Sequence, residues 1–154
     1  MTKISIITVC FNAEKYIEQT IKSVIEQKDC DIEYIVIDGA STDNTLDIIK
    51  QYGAGITKWI SEPDGGIANA MNKGVQLAMG DYLLFLHADD YFTDVDVVSK
   101  ILSYLTGNAD IYAFDVIYKT KSKEVRKRTK PFGIRTYFKT PVMHQGAFCK
   151  KELF

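Results

Sequence analysis

The chain has 154 residues and carries nineteen Lys plus Arg against twenty Asp plus Glu, a formal net charge of −1. That balance argues against a dedicated nucleic-acid binder, whose basic footprint shows in the total, and 46% hydrophobic with 25% charged residues excludes a disordered, collagen-like or coiled-coil chain. The length suits one domain over residues 1–154, and no apolar run approaches the ~20 residues that cross a bilayer.

Ile4–Cys10 is a short, continuous apolar run and predicts a buried parallel strand. Asn12 is placed to cap the following helix, with Ile17, Ile21, Val24 and Ile25 on one stripe. Tyr34–Ile37 predicts a second buried strand ending at Asp38-Gly39, and Ser41 or Asp43 caps a short helix through Leu46, Ile48 and Ile49 that stops at Gly53 and Gly55. Ile56–Ser61 predicts a third strand. The Glu62-Pro-Asp-Gly-Gly66 breakers then lead into a helix from Ile67 to Met79, closed by Gly80. Tyr82–Leu86 is the fourth strand, and its end carries His87-Ala-Asp-Asp90. Asp94 caps a last helix whose Val97, Val98, Ile101, Leu102 and Leu105 face inward. Fourfold alternation of strand and helix predicts an α/β fold with a mostly parallel sheet flanked by helices. From Ile111 the strand-like runs predict mixed or antiparallel strands, and a helix begins at Lys150–Phe154.

The charge is unevenly distributed. Residues 1–118 hold eight basic and eighteen acidic side chains, whereas residues 119–154 hold eleven basic and two acidic. The step falls at Lys119–Lys130, with seven basic residues in twelve. A solvated hairpin or mobile loop explains it plainly; a clamp for an anionic substrate, or peripheral contact with acidic headgroups at the inner face of a membrane, explains it more sharply. Cys10, Cys30 and Cys149 are odd in number and far apart. They fit neither a disulfide framework nor a Cys-rich metal site and, with a strand at the N-terminus in place of a signal peptide, predict a cytoplasmic protein. Met71, Met79 and Met143 are expected to fill the core.

Ligands of open α/β sheets bind beyond the carboxyl ends of the strands. Those ends are Thr8–Asn12, Asp38–Asp43, Glu62–Gly66 and His87–Asp90. Carboxylates recur at three of them, and such convergence needs cations, donors or solvent to satisfy it. Val9-Cys-Phe-Asn-Ala13 has no glycine, so a dinucleotide fold or nucleotidyltransferase loop is absent; no Gly-Lys-Ser/Thr triplet provides a P-loop. Phosphates are then best held through a metal. Asp89 and Asp90 offer the hard oxygens that Mg²⁺ or Mn²⁺ prefers, with helix capping as the plain alternative.

In Ser5–Val9 with Asn12, Glu33–Thr45, Ile60–Gly74, Gly80–Asp90 and His144-Gln145 the chain resembles family 2 glycosyltransferases of the nucleotide-diphospho-sugar transferase (GT-A) fold. The resemblance implies a Rossmann-like sheet and an inverting transferase that moves a sugar from a nucleotide-diphospho-sugar, usually a UDP-sugar, to a hydroxyl of a saccharide or lipid-linked acceptor. Cell-envelope polysaccharide synthesis is the usual setting. It implies that Thr8, Cys10 and Asn12 line the base pocket and that Asp38 hydrogen-bonds the nucleobase. Asp64, Gly65 and Asn69, on the loop and helix that follow, would lie beside the nucleotide and donor sugar. Asp89 and Asp90 would stand for the family's Asp-x-Asp element, contacting ribose and a Mn²⁺ or Mg²⁺ ion. His87 replaces the first Asp of that element, as a further metal ligand, a ribose contact or a structural residue. The family's catalytic base follows the His-Gln segment in an acidic motif and is expected beyond Phe154; only Glu152 remains in this stretch. A catalytically idle nucleotide-sugar-binding domain, or a fragment of a longer transferase, is the alternative.

Overall fold

The computed structural model describes residues 2–119, 123–128 and 144–154. Four parallel strands form its centre: β1 (Lys3–Cys10), β2 (Asp31–Asp38), β3 (Lys58–Ser61) and β4 (Tyr82–Phe85). They are joined by α1 (Ile17–Ile25), α2 (Thr45–Gln51) and α3 (Ile67–Leu77), and β4 is followed by α4 (Val97–Leu102). Next come β5 (Ile111–Ala113), the hairpin β6 (Val116–Lys119) and β7 (Glu124–Lys127), and β8 (Ala147–Lys150). The main sheet has the order β3-β2-β1-β4-β8-β5, with β8 antiparallel to both β4 and β5. This is the α/β arrangement expected, mostly parallel with antiparallel pairing toward the C-terminus.

Residues on alternate faces of β1 explain the layering. Ile4, Ile6 and Cys10 pack with Tyr34 and Val36 against Ile17, Ile21 and Val24 of α1, Ile49 of α2 and Val98 and Ile101 of α4. Ile7 and Val9 point the other way, with Ile35, Ile37, Leu83 and Phe85, onto Ala70 of α3. Neither face of β1 is wet, which is why Ile4–Cys10 shows no polar alternation.

Element boundaries depart from sequence expectation where a capping residue finds a more distant partner. Asn12 does not cap α1; Tyr16 occupies that position, and the Asn12 side chain bonds Thr42. Asp43 Oδ1 accepts from Thr45 N–H at the start of α2 (3.0 Å), while Ser41 turns back to Asp38. The Asp94 side chain accepts from the adjacent Val95 N–H, and the first turn of α4 is capped instead by Gln27 Oε1, which accepts from Val98 N–H at 2.9 Å. β3 starts at Lys58 and not Ile56, because Thr57 N–H and hydroxyl are both engaged by Tyr34 backbone. α3 ends at Leu77, leaving Met79 70% exposed rather than in the core. Met71 packs against the core on the α3 face, and Met143 lies outside the described residues. The terminal segment forms one 3₁₀ turn (Lys151–Leu153), not an α-helix.

The α3 turnaround is anchored by a buried carboxylate. Glu33 Oε2 accepts from Ser5 Oγ and Met79 N–H, both at 2.6 Å, and Lys58 Nζ pairs with Oε1 at 3.3 Å. Burial raises the Glu33 pKa, but the Ser5, Met79 and Lys58 donors outweigh it and hold the group below its ordinary 4.5. A folded-state pKa below the unfolded value contributes stability that is present above the unfolded pKa and is lost as pH falls through the folded one. Thermal melting is therefore expected to show a larger loss between pH 5 and pH 3 in the wild type than in Glu33→Gln. At pH 7 Glu33→Gln should cost about 2 kcal/mol, as Met79 N–H and Lys58 lose a charged acceptor; equal pH slopes would contradict the assignment.

Candidate active site

Strand order reverses between β1 and β4: β2 and β3 lie to one side of β1 and β4 to the other. The crevice at the carboxyl ends of such strands is the ligand site of open α/β sheets. Cys10 of β1 stands opposite Asp38 of β2, and Ile7 opposite Phe85 of β4, so the ends of all three strands reach one edge within two strand spacings, ~10 Å.

Asp38 is completely buried. Its Oδ1 accepts from Ser41 Oγ, and its Oδ2 from Ser41 N–H (3.1 Å) and Ser61 Oγ (2.6 Å); the Cys10 thiol lies 3.7 Å from Oδ1. Burial, then the Asp38 charge, push the Cys10 thiol far above its ordinary pKa and keep it protonated. Around this hub the first two loops are laced together. Asn12 N–H donates to Ser41 Oγ and Thr42 N–H to Asn12 Oδ1; Ala13 N–H donates to Thr45 Oγ1, Glu14 N–H to Asp43 Oδ2, and Asn44 N–H to Glu14 Oε2, all between 2.8 and 3.1 Å. Asn12 and Ala40 both adopt left-handed backbone, φ 49° and 61°, a conformation that costs an alanine ~1 kcal/mol and is held here by the surrounding bonds.

The sequence-predicted residues therefore divide. Thr8 is buried in the core with its hydroxyl 3.2 Å from Tyr34 Oη, so it lies beneath the crevice rather than lining it. Cys10 and Asp38 are likewise below the surface, holding the loops. Asn12, Asp64, Gly65, Asn69 and Asp89 reach solvent. Asp64 leans over the Asp38-Gly39 corner: a Cβ added at Gly39 would stand 2.9 Å from Asp64 Oδ2 and 3.4 Å from the Phe11 ring, so glycine is required for that approach. Asp64 Oδ1 accepts from Gly66 N–H at 2.8 Å, and Gly66, with φ 102°, takes the chain into α3 in a conformation suited to glycine. Gly65 N–H points to Asn69 Oδ1 at 3.4 Å. Phe11, 64% exposed at this corner, was not singled out from the sequence; an aromatic just past a strand end, in a loop that needs no apolar residue for packing, is the signal for it.

On the other side of β1, the Thr20 hydroxyl of α1 lies 2.8 Å from the carbonyls of Ala88 and Asp90 and holds the turn that follows β4. Antiparallel β8 begins beside that turn, so the 3₁₀ turn His144–Gly146 packs against it, with His144 and His87 rings 4.7 Å apart. Burial, then His144, push His87 below its ordinary pKa, so it is uncharged at neutral pH. Burial, then the Asp89 charge, push the Asp90 carboxyl upward against the opposing pull of the His87 backbone N–H, His144 and the Gln145 amide. Among the described residues two buried side-chain oxygens have no hydrogen-bond partner, Asp90 Oδ2 and Gln145 Oε1.

No three His, Cys, Asp or Glu side chains among the described residues group closely enough to hold a metal ion. Mg²⁺ and Mn²⁺ sites completed by substrate phosphates need only one or two carboxylates, and the partnerless Asp90 Oδ2 with exposed Asp89 beside it fits that lesser requirement. Glu152 does not belong here. Because β8 runs antiparallel to β4, Lys150 pairs with Tyr82 and Glu152 falls at the amino end of the sheet, 3.7 Å from Lys150. Of the basic stretch, Lys119 and Glu124–Arg128 are described with the β6–β7 hairpin, in which Lys119 pairs with Glu124 and Arg126 with Asp115; residues 120–122, 129 and 130 lie outside the described residues. The hairpin is the plainer of the two alternatives for this run.

Residues 5–150 match the family model described as Glycosyl transferase family 2. An uncharacterised glycosyltransferase of Mycobacterium tuberculosis is 37% identical over 156 aligned positions, covering 97% of this chain and 59% of the relative. A PGL/p-HBAD biosynthesis glycosyltransferase of Mycobacterium bovis is 31% identical, covering 97% of this chain and 60% of the relative. The chain thus spans about three-fifths of the length of these curated relatives. Among solved structures, S. aureus TarS 1-349 in complex with UDP-GlcNAc superimposes with a TM-score of 0.79 at 22% identity, over 98% of this chain and 46% of that one, a likeness of fold.

Asp38→Ala removes the acceptor for Ser41 and Ser61 while leaving half-buried Asp64 and exposed Phe11 in place. It is expected to cost about 3 kcal/mol and to lower the melting temperature by roughly 6–12 °C. An unchanged melting curve with nucleotide binding alone abolished would instead make Asp38 a direct ligand contact.

Proposed function

The chain belongs to glycosyl transferase family 2, and from that premise we propose that it takes up a nucleotide-diphospho-sugar, a UDP-sugar first among them, and serves its inverting transfer to an acceptor hydroxyl. The observation that carries this reading is the corner formed by Gly39, Asp64 and Phe11 at the strand ends, where a carboxylate and an exposed aromatic face lie within van der Waals distance of one glycine. Such a corner offers a stacking surface and a hydrogen-bond acceptor to a nucleobase, the two contacts a flat ring with N–H groups needs. Asn12, bonded to Thr42, would join the base side, and Gly65 and Asn69, bonded to each other before and in α3, would meet the donor's sugar end.

Across β1, Asp89 and Asp90 would hold a divalent ion, Mn²⁺ or Mg²⁺, which when bound offsets the charge of the departing nucleoside diphosphate. The chain's own residues orient the donor: the Asp38-laced loops fix the base corner, and Thr20 fixes the Asp89–Asp90 turn. Deprotonation of the acceptor calls for a carboxylate of the kind the family's acidic motif supplies. The position of Glu152 at the opposite end of the sheet supports a second reading, in which these 154 residues bind donor without turning it over. A saccharide or lipid-linked acceptor, cell-envelope polysaccharide synthesis and a cytoplasmic location, peripheral to the membrane through Lys119–Lys130, complete the proposal. No helix among the described residues is long and apolar enough to cross a membrane.

Titration calorimetry is expected to show UDP binding in the micromolar-to-millimolar range, tightened by Mn²⁺ or Mg²⁺. Asp64→Ala and Phe11→Ala should each weaken binding about tenfold with melting close to wild type. Folded protein that gives no heat with any common nucleoside diphosphate would overturn the reading. Release of labelled sugar to an acceptor by the 154-residue chain would exclude the idle-domain alternative.

A further inference from the structure

The signs of charge in this chain are separated in space as well as in sequence. Residues 1–114 carry eight basic and seventeen acidic side chains, whereas the described residues of the β6–β7 hairpin and its ends, 115–119 and 123–128, carry five basic and two acidic. The fold sets that hairpin at the ligand end of the sheet. β8 is antiparallel to both β4 and β5, so β5 runs as β4 does, and Ala113 ends at the edge where Asp89 and Asp90 lie. Phe114 N–H donates to the Gly146 carbonyl at 2.9 Å, and a Cβ added at Gly146 would stand 3.0 Å from Val116 Cγ2. Lys119 pairs with Glu124 at 3.1 Å and also hydrogen-bonds Tyr91, the residue after Asp90.

Cross-strand partners share a face, and neighbours along a strand alternate. One face of the hairpin therefore carries Ile117, Lys119, Glu124 and Arg126, and the other Val116, Tyr118, Val125 and Lys127. Ile117 is 47% and Val125 37% exposed, one on each face, so the described residues close over neither. Lys127 Nζ stands 4.7 Å from the centre of the Tyr118 ring, which leaves its charge uncancelled, and Arg128 beside it is exposed. A singly exposed apolar residue is ordinary. Two of them among five cations and a tyrosine have the composition of an interfacial element, whose apolar groups sit at the acyl boundary while long cationic stems reach back to the headgroups.

We propose that the β6–β7 hairpin is a docking surface for the anionic headgroups of a lipid bilayer, with Ile117 and Val125 entering the interface and Lys127 and Arg128 meeting headgroup phosphates. This deepens the proposed function: it rests on the peripheral location given there, names anionic lipid as the partner, and turns the carboxyl ends of the strands toward an acceptor held in the bilayer. The acidic body reinforces that orientation. Any other approach brings carboxylates to a negative surface, within the ~8 Å over which charges are felt.

Co-sedimentation of the 154-residue chain with vesicles tests this, using phosphatidylcholine alone and phosphatidylcholine mixed with phosphatidylglycerol. The expected result is binding to the mixed vesicles only, lost as salt is raised. Lys127→Ala and Arg128→Ala should each weaken it about fivefold, and the pair more than either. Ile117→Ser should weaken it about fivefold without altering the salt dependence. All these variants should melt like wild type and bind UDP as it does. Equal binding to both kinds of vesicle, or unaltered binding by the Lys127→Ala, Arg128→Ala double variant, would overturn the proposal. So would self-association through the hairpin in place of vesicle binding, or a loss of UDP affinity in the double variant, which would make the hairpin a clamp for the diphosphate. UDP binding without vesicles is read separately: failure of the docking surface leaves the donor reading standing, and failure to bind UDP strikes the donor reading alone.

Discussion

The buried carboxylate of Asp38 is the constraint on which the site depends. An unpartnered carboxylate at zero exposure would be strongly destabilising, so the chain must bring donors to it, and it does so from one loop and two strand ends at once: Ser41, Ser61 and the thiol of Cys10. Ser41 is then fixed, its hydroxyl receives Asn12 N–H, and the further bonds through Thr42, Thr45, Asp43 and Glu14 follow in register. The loop after β1 cannot move without the loop after β2. A rigid rim is what a nucleotide site needs, because ordering entropy is then spent in folding and not in binding.

That rim separates two kinds of acidic residue. Asp38 is buried and bonded to Ser41 and Ser61, whereas Asp64 and Asp89 reach solvent and Asp90 is half-buried. In the sheet order β3-β2-β1-β4, Asp64 follows β3 and Asp89 and Asp90 follow β4, with β2 and β1 between. Asp64 meets Gly39 because nothing larger than hydrogen separates them. Asp90 retains an oxygen for which the described residues provide no donor.

The strands were legible because their apolar runs are continuous, and the crevice because polar residues follow each run. The amphipathic stripe of α1 and the inward residues of α4 were legible for the same reason. Individual partners were not. Asn12 and Asp94 have the side chains of helix caps, and the same short acceptor can serve another loop equally well; only three-dimensional neighbours decide. Asp38 carries the nucleotide-contact motif that the resemblance implies, but its bonds to Ser41 and Ser61 could not be read from that motif. The pairing of His87 with His144 depends on β8 returning beside β4, a long-range register that no local pattern encodes.

The most direct measurement is a crystal structure of the chain grown with UDP and a divalent ion. The account predicts the base against the Phe11 ring and Asp64, the diphosphate reaching toward Asp90, and the Asn12–Thr42 and Ala13–Thr45 bonds intact. Nucleotide lodged instead in the open hollow between α1 and residues 91–95, lined by Glu18, Lys22 and Tyr91, or loops unlaced around a turned-out Asp38, would contradict it.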